Sequence, residues 1–244
     1  MSTPKNRLEA ALNGQYIFDI KALLKETHAH TKTQILPFIG AMLLAFAGVM
    51  VFGMILLSVF EVTNPLEIAP STALQIEVLL MFFLAPIMTG FLIMGIRNAT
   101  QKNIKPLDIM AYFPRIFILG LISVFISFWI SVGFQLFILP GLYIWVVTSL
   151  VLPLLVDKGY KPFDAIKLSF MLTNKYLSSF LFIHGIIILL VIASVLTYGI
   201  LFFYTVPFML TLKGKIYADL VGYDEDNDII NISELRKDDT TFDA

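Results

Sequence analysis

Few side chains in this sequence have the type and spacing for chemistry, and those that do stand in apolar surroundings. His184 lies among Phe180, Phe182 and Ile186. An imidazole there reads first as a neutral, hydrogen-bonded core histidine. Its other reading is proton transfer or ligand binding, because ionisable groups inside an apolar span are costly and mark function by default. Ser123, Ser127, Ser131 and Gln135 recur at every fourth position, which puts them on one helix face. Such a stripe either bonds across helices and to its own carbonyls or lines a wet cavity. Glu26, His28 and His30 are ligand types, but no further donors stand beside them, so no metal site is expected. Asp224-Glu225-Asp226-Asn227-Asp228 starts like a calcium loop. Ile229 then stands where such a loop needs Gly, and Leu235 where it needs Glu. Cysteine is absent, which excludes disulfides, thiolate metal sites and a cysteine nucleophile. No carboxylate pair falls inside an apolar stretch, which argues against an ion-coupled pump. No catalytic set and no cofactor are expected.

The elements that would position these groups are membrane spans. Hydrophobic residues make up 58% of the chain and charged residues 14%, against about 25% charged in a soluble domain. So much apolar surface needs a bilayer as its solvent. A helix of about 20 apolar residues crosses roughly 30 Å of hydrocarbon. On that basis the spans are 35–60, 73–96, 116–137, 141–156, 178–196 and 200–218. The apolar run 177–212 would form a helix of about 54 Å at 1.5 Å per residue, too long for one span. Dividing it at Thr197–Gly199 places all seventeen Lys and Arg residues on one side. Lysine and arginine accumulate in cytoplasmic loops, so both termini are expected inside. Lys213 and Lys215 would snorkel to the inner interface from the end of the sixth span. Trp129 and Trp145 would lie in the outer halves of their spans. The polar first thirty-four residues hold no apolar core, so no cleavable signal peptide is expected. The net charge of −1 gives no basic footprint for nucleic acid.

The expected fold class is all-α: a polytopic bundle of six transmembrane helices with cytoplasmic interfacial helices. It divides into an amphipathic N-terminal segment (1–34), the span domain (35–220) and a disordered acidic cytoplasmic tail (221–244). Three cytoplasmic segments share a pattern ahead of an odd-numbered span: Ile17-Phe18-Asp19-Ile20, Pro106-Leu107-Asp108-Ile109 and Pro162-Phe163-Asp164-Ala165. Asp near a helix start accepts free backbone N–H groups, and Pro suits the first turn. Each segment is read as a short surface helix, the first with Tyr16, Ile17, Ile20, Leu23 and Leu24 on its apolar face. Lys21, Lys25, Lys102, Lys105, Lys161 and Lys167 would lie at headgroup level on these helices and contact anionic lipid. Pro86, Pro153 and Pro207 fall inside the even-numbered spans, where each removes a helix hydrogen bond. With Gln135 and His184 they are the residues that would mark a kink or cavity. Gly40, Ala41, Ala45 and Gly48 form a small-residue face for close packing.

Leu139-Pro140-Gly141-Leu142-Tyr143, Leu152-Pro153-Leu154-Leu155-Val156-Asp157, Asp164-Ala165-Ile166-Lys167-Leu168-Ser169-Phe170 and the closing Ile216-Tyr217-Ala218-Asp219-Leu220 carry a resemblance. They resemble the YciC-like bacterial inner-membrane proteins and the membrane domain attached to some glycerophosphoryl diester phosphodiesterases. The likeness covers about the last 110 residues in its motifs and the first half in architecture. It implies the bacterial inner membrane and no hydrolase activity, because in the fused proteins hydrolysis belongs to a separate soluble domain. The expected function is non-enzymatic: envelope or lipid homeostasis, or a scaffold for protein partners in the membrane, with anionic lipids as preferred neighbours. The alternative is a small transporter for an apolar or amphipathic solute.

Overall fold

The computed structural model describes residues 4–64 and 67–223, and no strand occurs among them. Ten α-helices follow in order: α1 (Pro4–Leu12), α2 (Ile20–Thr33), α3 (Ile35–Val59), α4 (Pro70–Ala99), α5 (Ile116–Leu136), α6 (Ile138–Val147), α7 (Val151–Asp157), α8 (Pro162–Lys175), α9 (Leu177–Leu196) and α10 (Phe202–Leu220). Short 3-10 helices at Pro106–Met110 and Phe113–Arg115 lead into α5. The tail from Asp224 onward, with its calcium-loop resemblance, lies outside the described residues.

Among the described residues, five stretches are long and apolar enough to cross a membrane: Ile35–Val59, Pro70–Ala99, Pro106–Leu136, Ile138–Asp157 and Leu177–Leu196. This is the make-up of a multi-pass membrane protein. The fourth is a bent pair, α6 and α7, and the bend at Thr148–Leu150 is held by α8. There the Ser169 hydroxyl donates to Val147 O at 2.6 Å and accepts from Leu150 N at 3.3 Å. Pro153 stands one turn after this bend, within the stretch Ile138–Asp157, where an expected proline kink would lie. It falls in the first turn of α7, where a missing N–H leaves no helix bond broken. Pro86 and Pro207 lie inside continuous helices and are buried.

The expected division of 177–212 is observed. α9 ends at Thr197, and Tyr198 and Gly199 take positive φ values of 52° and 86°. The Ser194 and Thr205 hydroxyls meet at 2.8 Å across the turn. Farther along the pair, His184 of α9 and Lys213 of α10 both touch Trp145. The two contacts are in antiparallel register. α10 is not among the five apolar stretches, because it carries Lys213, Lys215 and Asp219. It is instead heavily buried, including Thr205, Phe208, Leu212, Tyr217 and Leu220. Other helices, not lipid, are its solvent.

The three units expected as surface helices take three different forms. α2 begins at Ile20 with Asp19 as cap, whose Oδ1 accepts from Ala22 N at 3.0 Å. Tyr16 and Ile17 precede the helix. Its buried face is Leu23, Thr27 and Thr31, so protein covers Leu23 of the expected apolar stripe and leaves Ile17 exposed. The second unit is a 3-10 wedge between α3 and α4, with Ile109 wholly buried. In the third, α8 buries Ala165, Ser169, Leu172 and Thr173, and leaves Phe163 and Phe170 exposed. The first and third units share one joint. Gln34 (φ −130°, ψ 35°) links α2 to α3, and Tyr176 (φ −122°, ψ 34°) links α8 to α9.

Without a hydrophobic drive between helices in lipid, small residues that let backbones approach decide packing. A Cβ on Gly95 would stand 2.2 Å from Leu210 O, and one on Gly214 would stand 2.3 Å from the carbonyl carbon of Gly95. Gly53 and Gly185 have open space. Gly95→Ala or Gly214→Ala is expected to cost at least about 1–3 kcal/mol by overpacking, seen as a lower Tm in detergent. Gly53→Ala should leave Tm unchanged or slightly raised.

Candidate functional site

Two regions bring chemistry-bearing residues together: a polar ring around the C-terminal half of α10, and a hydroxyl-lined cavity in the apolar bundle.

The ring begins at the N-terminus. Arg7 donates to Ala218 O at 3.2 Å, and Tyr16 Oη donates to Asp219 Oδ2 at 3.0 Å. Burial, and then the Asp219 carboxylate, push the Tyr16 hydroxyl well above its usual range, so it remains a donor. Tyr176 Oη accepts from Tyr16 N at 3.2 Å and donates to Ala11 O at 2.8 Å. Lys215 pairs with Glu26 at 3.1 Å and Asp219 at 3.2 Å. Tyr217 Oη donates to the buried Asp157 Oδ2 at 2.6 Å, and Lys158 pairs with the same oxygen at 3.2 Å. Beside the ring, Gln34 clamps the end of α4. Its Nε2 donates to Asn98 Oδ1 at 3.1 Å and Lys102 O at 2.8 Å, and its Oε1 accepts from Ile104 N at 3.0 Å. Asn98 Nδ2 in turn donates to Thr211 Oγ1 at 2.8 Å.

Glu26, His28 and His30 go to separate partners: Lys215, Tyr204 and Gln101. They form no common centre, and among the described residues no three metal-ligating side chains converge. Lys21, Lys25, Lys105, Lys161 and Lys167 are exposed. Lys102 is half-buried, its ammonium 4.8 Å from the centre of the Tyr223 ring. Beside these lysines each repeated segment exposes one large apolar side chain: Ile17 at 86%, Leu107 at 68% and Phe163 at 79%.

His184 is 2% exposed, and its Nδ1–H donates to Phe180 O at 2.8 Å, as expected of a core histidine. Its Nε2 is buried without a hydrogen-bond partner. Trp145 stands edge-on to it at 4.7 Å. Lys213 is half-buried. Its Nζ turns toward the Trp145 ring, 5.7 Å from the centre. Beside Trp145, α4, α5 and the α6–α7 bend border a half-open cavity of about 340 Å³. Ser123 and Ser127 line that space together with Trp145, Thr148 and Ser149. The expected stripe is therefore split, because Ser131 and Gln135 are exposed and contribute nothing to the cavity. Pro86, Pro153 and Pro207 do not line it either. Thr148 and Ser149 carried no signal in the sequence, since the bend that presents them depends on Ser169 from a later helix.

No family model, curated protein or solved structure matches the chain.

Tyr217→Phe removes a donor from a buried carboxylate, which costs about 1–3 kcal/mol. Unfolding followed by tryptophan fluorescence in detergent should show Tm falling by about 2–4 °C per kcal/mol lost. Tyr143→Phe, which loses only the half-buried bond to Asn174, should fall less.

Proposed function

We propose that this chain is a non-enzymatic, six-span protein that engages anionic lipid at its cytoplasmic face, in the bacterial inner membrane that its resemblance to the YciC-like proteins implies. The observation that carries this reading is the threefold pairing of an exposed apolar side chain with exposed lysines: Ile17 with Lys21 and Lys25, Leu107 with Lys105, and Phe163 with Lys161 and Lys167. Apolar insertion beside cations at headgroup level is how peripheral segments hold an anionic leaflet. The sixth span in this reading is α10. Its antiparallel register with α9 returns the chain across the thickness that α9 crosses. The one-sided distribution of all seventeen cations supports a topology with both termini inside. α10 fills the middle of the bundle, which favours an organising or scaffolding role over conduction.

The transport alternative is supported by one feature, the 340 Å³ cavity. It adjoins three elements at one side of the bundle and suits a bound amphiphile better than a path.

Each lysine near an anionic surface contributes on the order of 1 kcal/mol, screened by salt. That is small beside six inserted helices. Replacing Lys21, Lys25, Lys102, Lys105, Lys161 and Lys167 with Gln should leave the protein in the membrane. It should lower the ratio of anionic to zwitterionic lipid that co-purifies, measured by mass spectrometry. Ile17→Ser, Leu107→Ser and Phe163→Ser together should lower it further. An unchanged ratio in both variants would contradict lipid engagement.

A further inference from the structure

The cavity between α4, α5 and the α6–α7 bend carries hydroxyls that the fold itself does not use. Elsewhere in the described residues buried hydroxyls are satisfied. Thr27, Thr31, Thr89, Thr173 and Ser194 each donate to a carbonyl one turn back, at 2.7–2.8 Å. Ser149 Oγ is buried with no hydrogen-bond partner. Ser123 and Ser127, one turn apart on α5, also make no hydrogen bond among the described residues. In an apolar setting an unpaired hydroxyl carries a desolvation cost. Three facing one cavity indicate an oxygen acceptor as its occupant.

The charge around the cavity selects among acceptors. Of the two lysines on α10, Lys215 has two carboxylates. Lys213 makes no ion pair or hydrogen bond among the described residues, and its ammonium rests only against the Trp145 ring that walls the cavity. A cation without a counter-charge in a low-dielectric bundle projects its field into the adjoining space. The geometry and charge together favour an anionic acceptor.

Depth and size narrow the class further. Ser123 and Ser127 lie about 10 and 16 Å along α5 from its first residue at 1.5 Å per residue, deeper than a headgroup phosphate lies. The space is half-open, with about 340 Å³ between its walls. It admits one carboxylate. Met81, Leu84 and Met88 of α4 then continue the lining as an apolar track, and Met88 is exposed on the bundle surface.

We propose that this cavity binds the carboxylate of a single-chain fatty acid. Its oxygens accept from Ser123, Ser127 and Ser149, Lys213 supplies the positive field through Trp145, and the acyl chain leaves along α4. This site is independent of the surface lysines, and the two proposals can fail separately.

The chain has two tryptophans, so Trp129→Phe leaves Trp145 as sole reporter at the cavity wall. The protein would be placed in phosphatidylcholine nanodiscs at neutral pH and titrated with dibromostearic acid, whose bromines quench indole on contact. Saturable quenching is expected. The uncharged methyl ester should need about tenfold more label, as befits loss of charge-assisted hydrogen bonds. Ser123→Ala, Ser127→Ala and Ser149→Ala combined should weaken the acid by a similar factor. Lys213→Met should weaken the acid and leave the ester unchanged. If the combined serine variant does not fold, Ser127→Ala alone and the comparison of acid with ester on the Trp129→Phe protein still decide. Quenching that rises in proportion to the label without saturating would overturn the site. Saturation at equal concentrations of acid and ester would overturn the carboxylate assignment.

Discussion

The backbones of α4 and α10 pass so closely at Gly95 and Gly214 that neither residue has room for a Cβ. Much of the remaining arrangement depends on that approach. Lipid offers apolar side chains no reason to leave it, so helices in a bilayer associate through close van der Waals packing and interhelical hydrogen bonds. The glycines supply the first, and the bond from Asn98 to Thr211 supplies the second. Fixed against α4 and flanked by α2, α3 and α9, α10 is withdrawn from hydrocarbon. It can therefore carry Lys213, Lys215 and Asp219, which a lipid-facing span could not hold cheaply.

A shielded polar helix also explains the N-terminal segment. Arg7 on Ala218 O, Tyr16 on Asp219 and Glu26 on Lys215 form a series along α10. Each contact covers a backbone or charged group near the end of α10. The segment read as a membrane-surface element is thus also a cover, and the two ends of the described chain are one structural unit. Its outward side still presents Ile17, Lys21 and Lys25. One element can in this way hold the fold on its inner face and meet lipid on its outer face.

Sequence patterns show a local property well when a single element decides it. Long apolar runs gave the five spans, Asp19 gave the cap of α2, and the length of 177–212 with its following lysines required the reversal at Tyr198 and Gly199. They do poorly where a distant element intervenes. The face of α2 could not be assigned without α10 as its partner. Ile109 reads as part of a surface helix until Gly90 is seen to leave room for its backbone. The serine stripe of α5 is continuous in sequence. Only the bent α6–α7 pair decides that Ser123 and Ser127 face a cavity and that Ser131 and Gln135 do not. Lys213 illustrates the same limit, since the ring beside its ammonium, Trp145, belongs to a distant helix.

The central claim is that α10, despite its charges, crosses the membrane as the return stroke of α9. The sequence has no cysteine, so single cysteines report position directly. Tyr198 at the α9–α10 turn and Gln101 after α4 are both exposed. Labelling Tyr198→Cys and Gln101→Cys with a membrane-impermeant maleimide in intact cells, and again after permeabilisation, is the most direct measurement. The account predicts that position 198 labels in intact cells and position 101 only after permeabilisation. Labelling of both positions from the same side would contradict it.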